Sequence, residues 1–356
     1  MKKKLISVVG NRPQFIKLKP LSDEILLHKK LIDHKIIHTG QHYDLRMSKI
    51  FFDELNLPLP NYTLNVGGVS HAKFTSRVLH KLEIILTNEK PDAIIVYGDT
   101  DTTLAASICA SKMNINIFHI EAGLRSYNSS MPEEINRLLT DHISKLHFVT
   151  SKSAKLNLLK ENVNLKSIKV VGDLMHEVLI KTIKSKKFKI KNNLFRKQKD
   201  YILITIHRAE NTISKKNIVK IFESLSLTNF KYIFPCHPRT RKFISNKNIK
   251  IPKNLFLIKP LSYFDMILCI NNAKLIITDS GGVQKEAFFL KKPSIILRNE
   301  TEWVELIKYK YSTLLKNKNL INLIYSSLKI KIKNYNLFGS PIVSKKIVKE
   351  ILNFYE

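Results

Sequence analysis

Short apolar runs alternate with longer amphipathic stretches along the whole chain. In the first half, apolar runs cover residues 5–9, 36–38, 93–97 and 115–120, and a pattern with helical spacing follows each of them. The same rhythm begins again after a Lys-rich stretch, with runs at 201–205, 231–234, 255–258, 275–278 and 294–297. This alternation is typical of parallel sheets with helices on both faces. The sequence therefore predicts an α/β fold with two doubly wound domains.

The Lys-rich stretch at 181–199 lies near the predicted junction between the two domains. We expect an N-terminal α/β domain over residues 1–170 and a second α/β domain over 171–340. The closing stretch, 341–356, has helical spacing, and we expect this helix to pack back on the first domain. A chain of 356 residues is long enough for two domains of ordinary size.

The chain is strongly basic, with a formal net charge of +31. Only ten of its 60 cationic residues are arginines, and the lysines are spread over the whole sequence. A diffuse distribution is typical of solvated surface, so we expect no nucleic-acid partner. The apolar runs are far shorter than the roughly 18 residues of a membrane span, which predicts no stable membrane insertion. The first run ends at Gly10, too early for a secretory signal, so a cytoplasmic location is expected.

Acidic residues are concentrated where predicted strands of this basic chain end. Asp99 and Glu121 each follow an apolar run closely, and Glu133 lies at the start of the next helical stretch. Parallel α/β sheets bind ligands at the carboxyl ends of their strands. The three carboxylates are therefore candidates for acid–base chemistry.

Two other interpretations of the acidic residues remain open. One is an ion-pair network in which the carboxylates bind Arg125 and Arg137. The other is a metal site built from Asp99, His119 and Glu121, although oxygen-ligand sites need several such groups to converge.

The segment 275–290 has the features of an anion site. Ser280 can cap a helix, and Gly281 and Gly282 let the backbone N–H groups of that helix approach a phosphate. Glu286, on the same helix, can accept hydrogen bonds from ribose hydroxyls. The alternative is an ordinary Gly-Gly turn with a capping serine.

Cationic loops follow several other predicted strands. His207 and Arg208 follow one strand of the second half, and His237 follows another. Together with the segment 275–290 they predict a diphosphate cradle at one edge of the sheet. Near the N-terminus, Arg12 and Lys17 follow the first strand, but neither the GxGxxG nor the GxxxxGK[ST] pattern is present, so NAD and ATP are not predicted as cofactors.

Nine motifs carry a family resemblance. They are GNRPQFIKLKPL, HTGQHYD, VYGDTDTTLAAS, HIEAGLRSYNSSMPEEINRLLTDHIS, VVGD, HRAEN, HPRTR, TDSGGVQKEA and LRNETEWVEL. In this order and spacing they closely resemble the non-hydrolysing UDP-N-acetylglucosamine 2-epimerases, from Lys4 to about Leu306. The resemblance implies the GT-B fold, with two Rossmann-like domains facing each other across a cleft. It also implies a homodimer that acts on a UDP-sugar without metal or other cofactor.

The resemblance also assigns roles to individual residues. The family's acidic catalytic positions fall on Asp99, Glu121 and Glu133. Its nucleotide contacts fall on Arg12, His207, Ser280, Gly281, Gly282 and Glu286, and its N-terminal lysine falls on Lys17. In some members a second UDP-sugar binds as an activator, and the matching positions are Gln41, His42, Arg77 and His237.

The reaction that the resemblance implies is epimerisation at C2 of a UDP-2-acetamido sugar. Enzymes of this family eliminate UDP from the sugar, which gives a 2-acetamidoglycal. They then add UDP back to C1 while a proton returns to C2 on the opposite face of the sugar. Such a route needs two acid–base groups in different protonation states, and fixed dipoles and cations for the departing diphosphate. We expect Asp99 and Glu133 to exchange protons, Glu121 to hold an arginine or the sugar hydroxyls, and Arg12 and His207 to stabilise the diphosphate.

The expected conversion is UDP-N-acetylglucosamine to UDP-N-acetylmannosamine, for surface polysaccharide precursors. The form LRNETEWVEL resembles a branch that includes epimerases of diacetamido-uronate and deoxy-acetamido UDP-sugars, so another UDP-acetamido sugar is the alternative substrate. The hydrolysing reaction, which releases free N-acetylmannosamine and UDP, is the alternative reaction. The motifs GQHYD and MPEEINR resemble the non-hydrolysing side.

Overall fold

A computed structural model describes residues 1–41, 55–185, 200–206, 208, 211, 215–333 and 335–356 of the chain. The chain forms two compact units. The first contains Met1–Val178 and Asn336–Glu356, and the second contains Leu179–Tyr335. The chain thus leaves the first unit after Val178 rather than at residue 170, and it returns before residue 340.

A seven-stranded parallel sheet forms the centre of the first unit. Its strands are β1 (Lys3–Val9), β2 (Ile32–His38), β3 (Tyr62–Thr63), β4 (Ala93–Tyr97), β5 (Asn116–Ala122), β6 (Leu146–Val149) and β7 (Ile168–Val170). They lie in the order β3-β2-β1-β4-β5-β6-β7. The order reverses between β1 and β4, so the loops after these two strands border the crevice where open α/β sheets bind ligands.

Helices connect the strands of the first sheet, and one further helix follows β7. They are α1 (Arg12–Leu27), α2 (His71–Glu89), α3 (Asp101–Lys112), α4 (Pro132–Ile143), α5 (Lys152–Lys160) and α6 (Leu174–Lys184). Every residue of β4 is buried, as expected for a central strand with helices on both faces.

The second unit repeats this architecture around a six-stranded parallel sheet. Its strands are β8 (Tyr201–Thr205), β9 (Lys231–Pro235), β10 (Leu255–Ile258), β11 (Leu275–Thr278), β12 (Ser294–Ile296) and β13 (Ser312–Leu314), in the order β10-β9-β8-β11-β12-β13. Its helices are α7 (Lys215–Ser226), α8 (Pro238–Asn246), α9 (Tyr263–Asn272), α10 (Gly281–Phe289), α11 (Val304–Lys308) and α12 (Leu320–Leu328). The order reverses between β8 and β11, which places a second ligand crevice beside the loops that follow them.

The last helix, α13 (Val343–Tyr355), belongs to the first unit. The buried carboxylate of Glu177, in α6, accepts hydrogen bonds from Val343 N at 2.9 Å and from Ser344 N at 2.8 Å. At the other end of α13, the rings of Phe354 and Phe118 pack edge to face with centroids 5.2 Å apart. The start of α6 is therefore bonded to α13, which extends the first unit beyond residue 170.

Both sheets are parallel and are interleaved with helices, so the predicted α/β fold with two doubly wound domains is confirmed. Among the helices that the structure describes, none has the length and apolar character to cross a membrane.

Candidate active site

A buried amide, that of Gln14, ties together the loops after β1 and β4. Gln14 Nε2 donates to Tyr97 O at 2.8 Å and to Thr103 Oγ1 at 3.0 Å, and its Oε1 accepts from Gly10 N at 2.7 Å. Gln14 also forms a capping box with Asn11 at the start of α1. Sequence reasoning missed this residue, although Asn and Gln three positions apart before an apolar helix is the capping-box signal.

Lys17 and Glu121 form a buried ion pair through Nζ and Oε2, and each side chain is only 8% exposed. Gly98 lies against this pair. A Cβ atom at position 98 would be 3.3 Å from Glu121 Oε2 and 3.4 Å from Lys17 Nζ. Two predicted site residues, one from α1 and one from β5, therefore meet beside the loop that carries Asp99.

The backbone of Glu121 is strained. Its φ angle is +69°, in the left-handed region, and the pairing of β5 with β6 shifts register between Ile120 and Ala122. A non-glycine residue in this region costs about 1–3 kcal/mol, and such strain is concentrated at functional sites. The irregularity turns the Glu121 side chain out of the regular alternation of the strand.

Asp99 is held by α4, the helix that also carries Glu133. Asp99 Oδ2 accepts from Arg137 Nη2, and Asp99 O accepts from Asn136 Nδ2 at 2.9 Å. The Asp99 side chain is 30% exposed, whereas that of Arg137 is 2% exposed. Glu133 lies half-buried in the first turn of α4.

Glu134, next to Glu133, stabilises the loop before α4. Its Oε2 accepts from Ser126 N and its Oε1 from Tyr127 N, both at 2.9 Å, and Arg137 Nη1 donates to Oε2 at 2.6 Å. Burial raises the pKa of Glu134, but the Ser126 N–H and the Arg137 guanidinium outweigh it, so the pKa lies below its usual value. Glu134 is therefore an anion that holds this loop in place.

The ion-pair interpretation of the acidic residues is correct in part. Arg137 does bind Asp99. Arg125 instead pairs with Asp141 at 2.7 Å and with Glu161 at 2.6 Å. Glu121 pairs with Lys17.

The structure does not support a metal site that includes His119. Both ring nitrogens of His119 are engaged, Nδ1 with Asp141 Oδ1 at 2.7 Å and Nε2 with Gly98 O at 2.8 Å. Within the described residues, no group of three or more His, Cys, Asp or Glu side chains is arranged to hold a metal ion.

In the second unit, α10 begins at Gly281, with the side chain of Ser280 as its cap. Gly281 packs against Glu302, because a Cβ atom at position 281 would lie 2.4 Å from Glu302 Oε1. At position 282 the nearest atom to a Cβ would be Ser280 Oγ, at 3.9 Å. Glu286 is buried on the same helix. A helix start with this cap and two glycines suits a phosphate group.

The loop after β8 is tied to the start of α10. Asp279 Oδ2 accepts from Arg208 N and from Asn211 Nδ2, each at 3.0 Å. The half-buried Arg208 is thereby held near the residue that caps α10. His207 and His42, which were also predicted as site residues, lie outside the described residues.

The remaining predicted residues lie on separate elements. Arg12 is half-buried at the first position of α1. Gln41 lies shortly after the end of β2, and its Oε1 accepts a hydrogen bond from Thr102 Oγ1 at 2.8 Å. Arg77 is exposed on α2, and His237 is half-buried directly before α8.

Comparisons with known proteins agree with this arrangement. A UDP-N-acetylglucosamine 2-epimerase homolog from Methanococcus maripaludis is 50% identical, over 98% of this chain and 99% of its own length. The UDP-2,3-diacetamido-2,3-dideoxy-D-glucuronate 2-epimerase of Pseudomonas aeruginosa is 41% identical, over 85% of this chain and 86% of its own length.

The crystal structure of the UDP-GlcNAc 2-epimerase from Methanocaldococcus jannaschii, in complex with UDP-GlcNAc and UDP, has a similar fold. Its TM-score is 0.91 at 42% identity, and the match covers 99% of each chain. The predicted pair of Rossmann-like domains of the GT-B type is thereby confirmed. The sequence model of the family described as UDP-N-acetylglucosamine 2-epimerase matches residues 25–352. On these similarities, the chain belongs to the UDP-N-acetylglucosamine 2-epimerase family.

Proposed function

We propose that this protein is a non-hydrolysing epimerase that converts UDP-N-acetylglucosamine reversibly into UDP-N-acetylmannosamine. The observation that carries the proposal is the buried pair of Lys17 and Glu121 beside the loop of Asp99. Lys17 and Asp99 follow β1 and β4, the strands between which the order of the first sheet reverses, and Glu121 is on the neighbouring strand β5; such sheets bind ligands at this point. Family membership and the relative bound to UDP-GlcNAc support the same reaction.

The proposed reaction proceeds through a 2-acetamidoglycal. A base removes the proton from C2 while the bond between C1 and the UDP oxygen breaks. UDP then adds back to C1, and an acid delivers a proton to the opposite face of C2. We assign the proton transfers to Asp99 and Glu133, because Arg137 bonds Asp99 to the helix that carries Glu133.

We assign Glu121 and Lys17 to the sugar hydroxyls. The ammonium of Lys17 compensates the buried Glu121 carboxylate, so the pair can present charged hydrogen-bonding groups in a site that excludes water. The left-handed backbone of Glu121 supports this role, since strain of this kind is retained where a side chain must point in one direction.

The second unit supplies the groups for the UDP moiety. The departing diphosphate gains negative charge, which a helix start and cations stabilise. We propose that Ser280, Gly281, Gly282, Arg208 and His207 bind the diphosphate and that Glu286 binds the ribose. Arg12, in the first unit, is assigned to the diphosphate by the family resemblance alone.

The alternative substrate is a diacetamido-uronate UDP-sugar, because the Pseudomonas aeruginosa relative is named for this compound. The Methanococcus maripaludis relative is more similar and matches over a larger share of both chains, which favours UDP-N-acetylglucosamine. Activation by a second UDP-sugar at Gln41, His42, Arg77 and His237 remains a proposal.

We also propose that the protein is a homodimer in the cytoplasm. Helix α4 places Ile135, Leu138 and Leu139 on its outer surface, with exposed fractions of 46%, 36% and 47%. An apolar helix face of this kind is typical of a surface that a protein partner covers. A second copy of the chain fits the family resemblance.

NMR of the protein with a panel of UDP-2-acetamido sugars in D₂O tests the reaction and the substrate together. We expect deuterium at C2 of both epimers, with UDP-N-acetylglucosamine as the preferred substrate. Product without deuterium at C2 would contradict elimination and re-addition. Free UDP that accumulates in step with product would instead indicate the hydrolysing reaction.

Asp101, the next carboxylate along the chain, provides a matched control for Asp99. Asp101 lies in the first turn of α3 and binds His71 Nδ1 at 2.6 Å. Asp99→Asn is expected to lower the rate of deuterium exchange at C2 by about 1,000-fold, the order of a lost general acid or base. Asp101→Asn should retain most of the rate, and equal losses would argue against the role of Asp99.

A further inference from the structure

His119 lies in β5, two residues before Glu121, and its side chain is completely buried. Its Nδ1 is 2.7 Å from Asp141 Oδ1, and its Nε2 is 2.8 Å from Gly98 O. A carbonyl oxygen can only accept a hydrogen bond, so Nε2 must carry a proton. An ionised Asp141 also only accepts, and in that case Nδ1 carries a proton as well.

Asp141 is surrounded by donors that favour its ionised form. Its Oδ2 accepts from Gly123 N at 3.0 Å and from Arg125 Nη1 at 2.7 Å. Burial raises the pKa of Asp141, whereas the Arg125 guanidinium lowers it whatever the protonation state of His119, and both donors to Oδ2 need an acceptor. The proton between Asp141 and His119 therefore belongs to the imidazole.

The charge balance of the cluster agrees with this assignment. Arg125 pairs with two carboxylates, because Nη2 also donates to Glu161 Oε2 at 2.6 Å and Nε to Glu161 Oε1 at 2.7 Å. One guanidinium with Asp141 and Glu161 leaves an excess negative charge in a largely buried place. A protonated His119 neutralises this charge, which makes the cluster less costly to bury.

A second buried histidine, His147 in β6, provides a contrast. Its Nε2 is 2.7 Å from Asp141 O, and its Nδ1 is 3.1 Å from Ser167 Oγ, whose hydroxyl donates to Asn164 O at 2.7 Å. Burial lowers the pKa of His147 and outweighs its contacts with Asp141. Unlike His119, His147 has no carboxylate as a hydrogen-bond partner, so it is a neutral imidazole, with its proton on Nε2 because Asp141 O only accepts.

We propose that His119 is a doubly protonated imidazolium that positions the catalytic loop by holding the carbonyl of Gly98. The same glycine donates from its N–H to Ile120 O at 2.9 Å, and Asn136 holds Asp99 O at 2.9 Å. The backbone of residues 98 and 99 is thus fixed at three points, all of them on β5 and α4. His119 is a positioning residue, and this role rests on the proposed function of Asp99.

The protonation state can be measured without any substrate. In protein labelled with ¹⁵N-histidine at about pH 7.5, where an unconstrained imidazole is mostly neutral, we expect both ring nitrogens of His119 to carry protons. His147 should show one protonated and one unprotonated nitrogen in the same spectrum. The spectrum of His119→Asn assigns the signals. An unprotonated nitrogen in His119 would overturn the proposal.

Two substitutions separate positioning from folding. Gln can keep the donor to Gly98 O, because its amide nitrogen reaches the place of Nε2, whereas Asn is too short. We expect His119→Asn to lower kcat by about 100-fold, the effect of a displacement of roughly 1 Å, while KM changes by less than about threefold. His119→Gln should recover at least about tenfold of this loss.

His147→Gln is the matched control, because it alters a buried histidine that also binds Asp141. We expect it to lower stability and leave kcat within about twofold. Equal losses of kcat in His119→Asn and His147→Gln, or a loss seen in KM alone, would overturn the positioning role. Absence of C2 deuteration in the unaltered enzyme would contradict the proposed function instead, and the ¹⁵N spectrum would still decide the state of His119.

Discussion

At the scale of single residues, Glu121 combines two costly features. Its backbone has a φ of +69°, and its carboxylate is buried against the Lys17 ammonium. Strain of about 1–3 kcal/mol and the desolvation of two charges both oppose folding. A fold retains such a combination where function requires the side chain in that position. Substitution of Lys17 and Glu121 therefore tests the proposed site directly.

Glu121→Gln is expected to lower the free energy of unfolding by about 3 kcal/mol, because the neutral amide no longer gives the buried Lys17 ammonium the charge of the Glu121 carboxylate. Chemical denaturation measures this loss, and the D₂O assay should show a loss of turnover. The double variant Lys17→Met/Glu121→Gln removes both charges and should recover most of the stability but not the turnover. Full turnover in the double variant would show that the pair is only structural.

At the scale of elements, the two glycines that begin α10 have different surroundings. Gly281 faces Glu302 Oε1, and Glu302 is paired with Arg298 at 2.9 Å with side chains 6% and 2% exposed. The Glu302 carboxylate therefore has little room to move. Gly282 has room for a Cβ atom.

Gly281→Ala is expected to lower the free energy of unfolding by about 2 kcal/mol, the usual cost of an overpacked contact. Gly282→Ala should leave stability unchanged or raise it by up to about 1 kcal/mol, because Ala favours a helix over Gly. Thermal unfolding without ligand compares the two variants. Equal losses would mean that contact with Glu302 is not what requires glycine at position 281.

The elements themselves were predictable from sequence, and most of their contacts were not. Parallel strands are buried on both faces, so β4 and β5 stand out as apolar runs. Asp99 and Glu121 could be placed at strand ends for the same reason. The partner of Arg125 could not be predicted, because Glu161 lies 36 positions away and local spacing does not specify such a pair. The strained backbone of Glu121 likewise has no signal in local composition.

At the scale of the whole molecule, the first unit combines the chain up to Val178 with the C-terminal segment from Asn336. The chain leaves the first unit inside α6, and a continuous helix carries no local signal of a boundary. Glu177 accepts from Val343 N, Ser344 N and Ser344 Oγ, so it caps α13 from another helix. The predicted limit at residue 170 follows the end of β7, whereas this cap is one of the contacts that join the residues after β7 to α13.

The two faces of helix α4 differ in burial and in their contacts. One face buries Asn136 and Arg137, which hold Asp99, and the other exposes Ile135, Leu138 and Leu139. If a second copy of the chain covers the exposed face, assembly and the position of Asp99 depend on the same helix.

Leu139→Glu tests the proposed homodimer, because it places a charge on the exposed apolar face of α4, where Leu139 is 47% exposed. Burying this carboxylate at an interface without a partner costs several kcal/mol, so we expect a monomer by size-exclusion chromatography with light scattering. Turnover should fall with dissociation, since α4 also holds Asp99. Leu227→Glu is the matched control, because Leu227 is 73% exposed in the second unit and should leave the dimer intact. A dimer that persists in Leu139→Glu at micromolar concentration would exclude this face of α4 as the interface.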